Sequence, residues 1–138
     1  MRILSTGTIT TASAGNLSAV ATAQGPLPMS LSIQANFAYG SGGTSVDAYV
    51  QTSFDGGATW CDIAEFSFTT SAARRLFNLS RLTPVTSIAT PSDGSLSANS
   101  VVDGFLGSQY RVKWTSVGTY GGATSLVIDI APSGARIG

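Results

Sequence analysis

Side chains able to do acid–base or nucleophilic chemistry are scarce in this chain. Its 138 residues include no His, one Cys (Cys61), one Lys (Lys113) and one Glu (Glu65), and charged residues make up 10%. Without histidine a Ser-His-Asp or Cys-His site cannot exist, and a Ser-Lys dyad would have to use Lys113, which has no nucleophile motif near it. A zinc or iron–sulfur site would need ligands that are absent. Paired carboxylates for glycoside hydrolysis would come from Asp47, Asp62, Glu65 or Asp129. In a regular strand, however, Asp62 and Glu65 point to opposite faces, unless a bulge intervenes. No phosphate-cradling glycine loop, dinucleotide fingerprint or calcium loop is present. The expectation is a non-enzymatic protein with no catalytic residues, no cofactor and no metal.

One motif is complete. Ser53-Phe54-Asp55-Gly56-Gly57-Ala58-Thr59-Trp60 matches the Asp-box pattern S-x-D-x-G-x-T-W of sialidases and other β-propeller proteins. Its mechanics are those of a hairpin turn: Asp55 accepts backbone N–H bonds, the glycines take positive φ, and the Trp60 indole folds over the turn. A propeller repeats the motif around its blades, whereas here it occurs once in a short chain. Ser53, Asp55, Gly57, Thr59 and Trp60 are therefore read as a structural turn.

The elements around the turn are strands. Helix formers are few, and short alternating runs recur between Gly, Pro, Asn and Asp punctuation. Strands are expected at Ile3–Thr11, Leu17–Ala23, Met29–Tyr39, Val46–Phe54, Trp60–Thr69, Arg75–Leu79, Val85–Ala89, Gln109–Ser116 and Ser125–Ala131. This predicts an all-β single domain over 1–138, an antiparallel β-sandwich or jelly roll, with a long Ser/Thr/Pro-rich loop around 83–100. Gln109–Ser116 and Ser125–Ala131, separated by Gly118–Gly122, read as an antiparallel hairpin. On the strand after the Asp-box, Trp60, Phe66 and Phe68 have one parity and Cys61 and Ile63 the other. A β-bulge between Trp60 and Ile63, or burial of both faces, would reconcile them. Core burial is the expectation for both tryptophans and, as a small hydrophobe, for Cys61.

Ser and Thr make up about a quarter of the chain and the net charge is zero, so the surface is polar with little charge to keep copies apart. That suits a chain whose faces are occupied in an assembly. Seven cations offset by seven carboxylates force no basic face, so nucleic acid is not expected as a partner. Six of the seven cations are Arg, which suits bidentate contacts across an interface, with Arg74, Arg75 and Arg136 as candidates. Neither end carries apolar density: Ile3, Leu4 and Ile9 are the few anchors at one, and Ile137 stands alone past Ala131 at the other. These residues are expected to lie against other chains. No apolar run has the length of a signal peptide core or a membrane helix, so no membrane partner is expected and the site of synthesis is expected to be a cytoplasm.

Gln51–Trp60, Phe66–Thr70 and Val101–Gly107 followed by Tyr110–Trp114 together resemble small structural proteins of tailed bacteriophages, over roughly residues 46 to 130. The resemblance implies a β-sandwich component of the virion, at the head surface as a capsid decoration or in the head–tail neck or collar. It would be present in many copies, contact itself and capsid, portal or neck proteins, and act by packing rather than chemistry. The alternative is a β-sandwich carbohydrate-binding module, in which Trp60, Trp114, Tyr39, Tyr49, Tyr110 or Tyr120 would supply an exposed stacking platform.

Overall fold

The computed structural model describes residues 2–18, 20–24, 28–133 and 136–137. Two antiparallel sheets pack face to face, and no helix occurs among these residues. The first sheet has the order β1 (Arg2–Ser5), β11 (Ser125–Ser133), β4 (Ser30–Ala38), β8 (Ala73–Ser80). The second runs β7 (Cys61–Phe68), β6 (Ser45–Ser53), β9 (Gln109–Val117). Along the far side of β9 lie β2 (Ser13–Leu17) and β3 (Ala21–Gln24), and β12 (Arg136–Ile137) lies beyond β3. A short pair, β5 (Ser41–Gly42) with β10 (Tyr120–Gly121), closes one end.

A period of two generates the core. Leu31, Ile33, Ala35 and Phe37 of β4 lie beside Leu126, Ile128 and Ile130 of β11, facing Val46, Ala48 and Val50 of β6 and Tyr110 and Val112 of β9; all are buried. Phe37 stacks on Phe68 with centroids 4.9 Å apart and meets Tyr120 edge-on at 6.2 Å. Tyr120 is buried although it sits in a glycine-rich connection, because its hydroxyl donates to the Thr69 carbonyl and its backbone N–H to that of Thr10. Gly43, at φ 72°, lies against the Tyr120 ring where any Cβ would collide with it.

Several expectations are corrected. Gln109–Ser116 and Ser125–Ala131 do not form a hairpin: β9 and β11 belong to opposite sheets, because each has an apolar face and the two faces meet across the core. Val85–Ala89 is not a strand; its backbone joins no ladder, and Ile88 is fully exposed within the loop. Ile3–Thr11 shortens to Arg2–Ser5, and Leu17–Ala23 divides into the ends of β2 and β3. The bulge is present. Val50 pairs with Ala64 but Gln51 pairs with Asp62, so Ile63 is the extra residue, and Asp62 to Phe66 are buried on both faces.

The termini are held by the chain itself. β1 pairs with β11, Arg2 bonds Asp129 at 3.2 Å, and Ile3, Leu4 and Ile9 are buried in the chain's own core. These three are therefore not an intersubunit surface: two short strand residues and one loop residue suffice as anchors because each fills the open side of the sandwich. Past Ala131, β11 continues against β4 to Ser133, and the backbone at Arg136–Ile137 pairs with β3 of the other sheet. The side chains of Arg136 and Ile137 lie outside the described part of the structure.

Candidate functional site

The Asp-box folds as a closed turn between β6 and β7. The Ser53 hydroxyl donates to Asp55 and accepts from the Gly57 N–H (2.9 Å each). Asp55 accepts from the Thr59 N–H at 2.8 Å and from the Thr59 hydroxyl at 2.5 Å. Gly56 and Gly57 take φ of 70° and 93°. These bonds hold the Asp55 carboxyl at a pKa of about 2, the Thr59 hydroxyl being the largest cause, followed by the Thr59 N–H and Ser53. Trp60 donates from its indole N–H to the Gly57 carbonyl and packs under the Arg111 guanidinium. It is only partly buried, outside the core, because the turn carries it onto the outer face of the sheet. Trp114 is also only partly buried, against the core edge. Both depart from the expected full burial, as does Cys61, which is half-buried with its thiol donating to the Thr52 carbonyl.

Beside the turn lies a cavity of about 340 Å³, lined by Phe54, Trp60, Phe105, Leu96, Cys61 and Asp62 among others. Its aromatic content matches a sugar platform, yet the Thr52, Thr59, Asp62 and Ser92 side chains of its lining are already engaged. The Thr59 hydroxyl is taken by Asp55 and the Thr52 hydroxyl by Gln109 and Gly107. Asp62 is the extreme case: its carboxylate accepts from Gln51 Nε2, the Ser92 hydroxyl and the N–H groups of Gly94, Ser95 and Leu96.

Because of the bulge at Ile63, Asp62 and Glu65 share the outer face of β7, opposite Gln51 and Tyr49. The Ser67 hydroxyl donates to Asp47 and bonds the Glu65 carboxyl, joining the two acids. Burial pushes the Glu65 carboxyl up to about 7, with the Asp47 charge adding to the rise and the Ser67 hydroxyl opposing it. Glu65 is 3% exposed and does not line the cavity. A strap, residues 92–102, covers it. The strap bonds along β7 through Asp62 N–H to Ser92, Glu65 N–H to Ser100 and Val102 N–H to Ile63, and Asn99, at φ 55°, accepts from the Ser67 N–H. Asp93 ties the strap to Gln51, Arg111 and Lys113. Sequence reasoning missed Gln51, Asp93 and Asn99, whose partners are distant in sequence: the Gln51–Asp93 bond spans 42 residues and the Ser67–Asn99 bond 32.

The strap makes the sheet edges unequal. β7 is covered, β1 is four residues long with an irregular register, and β12 has two residues. β8 runs eight residues in unbroken register with β4, and among the described residues nothing hydrogen-bonds along its other side before Ser80. The two candidate cations on β8 part company. Arg75 lies 5.2 Å from the Phe68 centroid and roofs the core edge, while Arg74, Leu76 and Asn78 are exposed on the outer face, Leu76 at 62%.

Comparison with protein-family models, curated proteins and solved structures finds no match to this chain.

Proposed function

We propose that this chain is a non-enzymatic structural subunit of a tailed-phage virion, working in many copies at the head surface or head–tail neck. The observation that carries the reading is the contrast between sheet edges. Soluble β proteins blunt their edges with short strands, bulges, charges or covering loops. Among the described residues the other edges are short, irregular or covered, whereas β8 is long, regular and uncovered; it carries Arg74 and Arg75 but also the exposed Leu76. An edge left open in that way suits a partner strand. The weakly charged Ser/Thr surface and the resemblance of residues 46–130 to phage structural proteins point the same way. A glycan-binding role draws less support from the cavity beside Trp60, where the Thr52, Thr59, Asp62 and Ser92 side chains are bonded within the chain.

Quantitative mass spectrometry of phage particles purified to constant composition tests the proposal. The expected result is this chain at many copies per particle, in fixed ratio to the capsid protein. Its absence from such particles overturns the reading.

A further inference from the structure

We infer that β8 pairs with β8 of a second copy about a two-fold axis at Leu76, joining two four-stranded sheets into one. This deepens the multi-copy reading above and rests on it. In an antiparallel ladder, alternate residues turn their N–H and C=O groups to the same side. Ser80 donates its N–H to Asp103 Oδ1 at 2.7 Å rather than into the β4 ladder, so it faces the outer edge. Asn78, Leu76 and Arg74 then share that direction, and their edge hydrogen-bonding groups have no protein partner among the described residues. A strand added here finds a prepared row of donors and acceptors.

The sequence of β8 selects its own copy as that strand. Two-fold symmetric pairing of outward residues allows only registers centred on a residue, since a residue facing outward must oppose another facing outward. Centring on Arg74 or Arg75 sets two guanidinium groups against each other. Centring on Phe77 or Asn78 requires the Ser80 backbone, which Asp103 already holds. Centring on Leu76 sets Leu76 against Leu76, Arg74 against Asn78, and Arg75 against Phe77. No like charges then face each other, and the most exposed apolar residue of the strand is covered. The end of β8 nearest Asp103 is thereby a stop that defines the register.

Sedimentation velocity of the full chain over a concentration series, with disulfide trapping, tests this. A dimer is expected, reduced to monomer by Leu76→Lys with the melting temperature retained, since Leu76 is solvent-exposed in the single copy. In a Cys61→Ser background, Leu76→Cys is expected to form an intermolecular disulfide under mild oxidation. Asn78→Cys is not, because the register separates the two copies of residue 78 beyond disulfide reach. A monomer at every concentration, a dimer indifferent to Leu76→Lys, or trapping at 78 instead of 76 overturns the inference. The two proposals fail separately: particles that contain a monomeric chain defeat the β8 pairing alone, and a β8-linked dimer absent from particles defeats the virion assignment alone.

Discussion

The Arg111 guanidinium carbon lies 4.2 Å from the centroid of the Trp60 ring, so a strand of the sheet and the tip of a hairpin are joined through a cation and an aromatic face. The same guanidinium donates to Gln51 Oε1 at 2.7 Å, which fixes its plane. The indole is thus part of the outer surface of the second sheet, and its energetics should be those of a surface contact.

Trp60→Ala is expected to cost about 1–2 kcal/mol, from the lost cation–π contact and the bond to Gly57, below the roughly 3–5 kcal/mol of a tryptophan removed from a core. Urea denaturation measures it, and a double-mutant cycle with Arg111→Met should return a coupling of about 0.5–2 kcal/mol. Additive single effects would show that the two side chains do not support each other.

Asp62→Ala strips an acceptor from several strap donors at once and should cost about 2–4 kcal/mol. The local signature is sharper than the global one. The edge amides of Glu65 and Val102 should exchange with solvent at least about tenfold faster, because releasing the strap opens both bonds. Unchanged exchange would mean that Asp93 and Asn99 hold the strap without it.

Glu65 predicts a pH dependence of definite sign. Its carboxyl ionises near 7 in the folded chain against an ordinary 4.5, so between these values the folded state keeps a proton that the unfolded state has released. Stability contributed by this site is full below about pH 4.5, falls as pH rises, and levels off above 7. Glu65→Gln should therefore raise stability at pH 8 by about 1–3 kcal/mol and have little effect at pH 4. Thermal melts across this range measure both; a variant less stable than wild type at pH 8 would reverse the argument.

Asp55 titrates with the opposite sense. Its carboxyl is held at about 2, below the ordinary 3.8, so its contribution is present above that ordinary value and is lost as pH falls toward 2. Asp55→Ala should lower the melting temperature by a few degrees at pH 7 and by less at pH 2. Amide signals of Gly57 and Thr59 should report the same loosening.

Period-two patterning made most strands legible, because alternation survives wherever one face is buried: β4, β6, β9 and β11 lie within a few residues of their expected bounds. The Asp-box was legible for a different reason, since all its bonds are local. What the pattern could not carry was the pairing of distant segments. Two half-buried strands joined by a glycine-rich link look the same whether they pair edge to edge or face each other across a core, so β9 and β11 were misjoined. Sparse apolar residues at Ile3, Leu4 and Ile9 gave no sign that the open side of the sandwich awaited them. The strap escaped notice because a serine-rich loop owes its order to partners distant in sequence: the Asp62 carboxylate, the edge of β7, and the Gln51 and Arg111 side chains that meet Asp93.

The pairing of β1 with β11 sets the order in which the molecule can be made. Arg2 lies opposite Asp129, 127 residues further along the chain, so β1 has no partner until β11 has been synthesised. Ile3 and Leu4 stay exposed throughout that interval, and the second sheet can assemble around β6 only once β9 appears. Closure of both sheets is consequently a late, long-range event, with folding times in the millisecond-to-second range typical of β-sandwiches. At high expression the growing chain would depend on that delay being short relative to encounters with its neighbours.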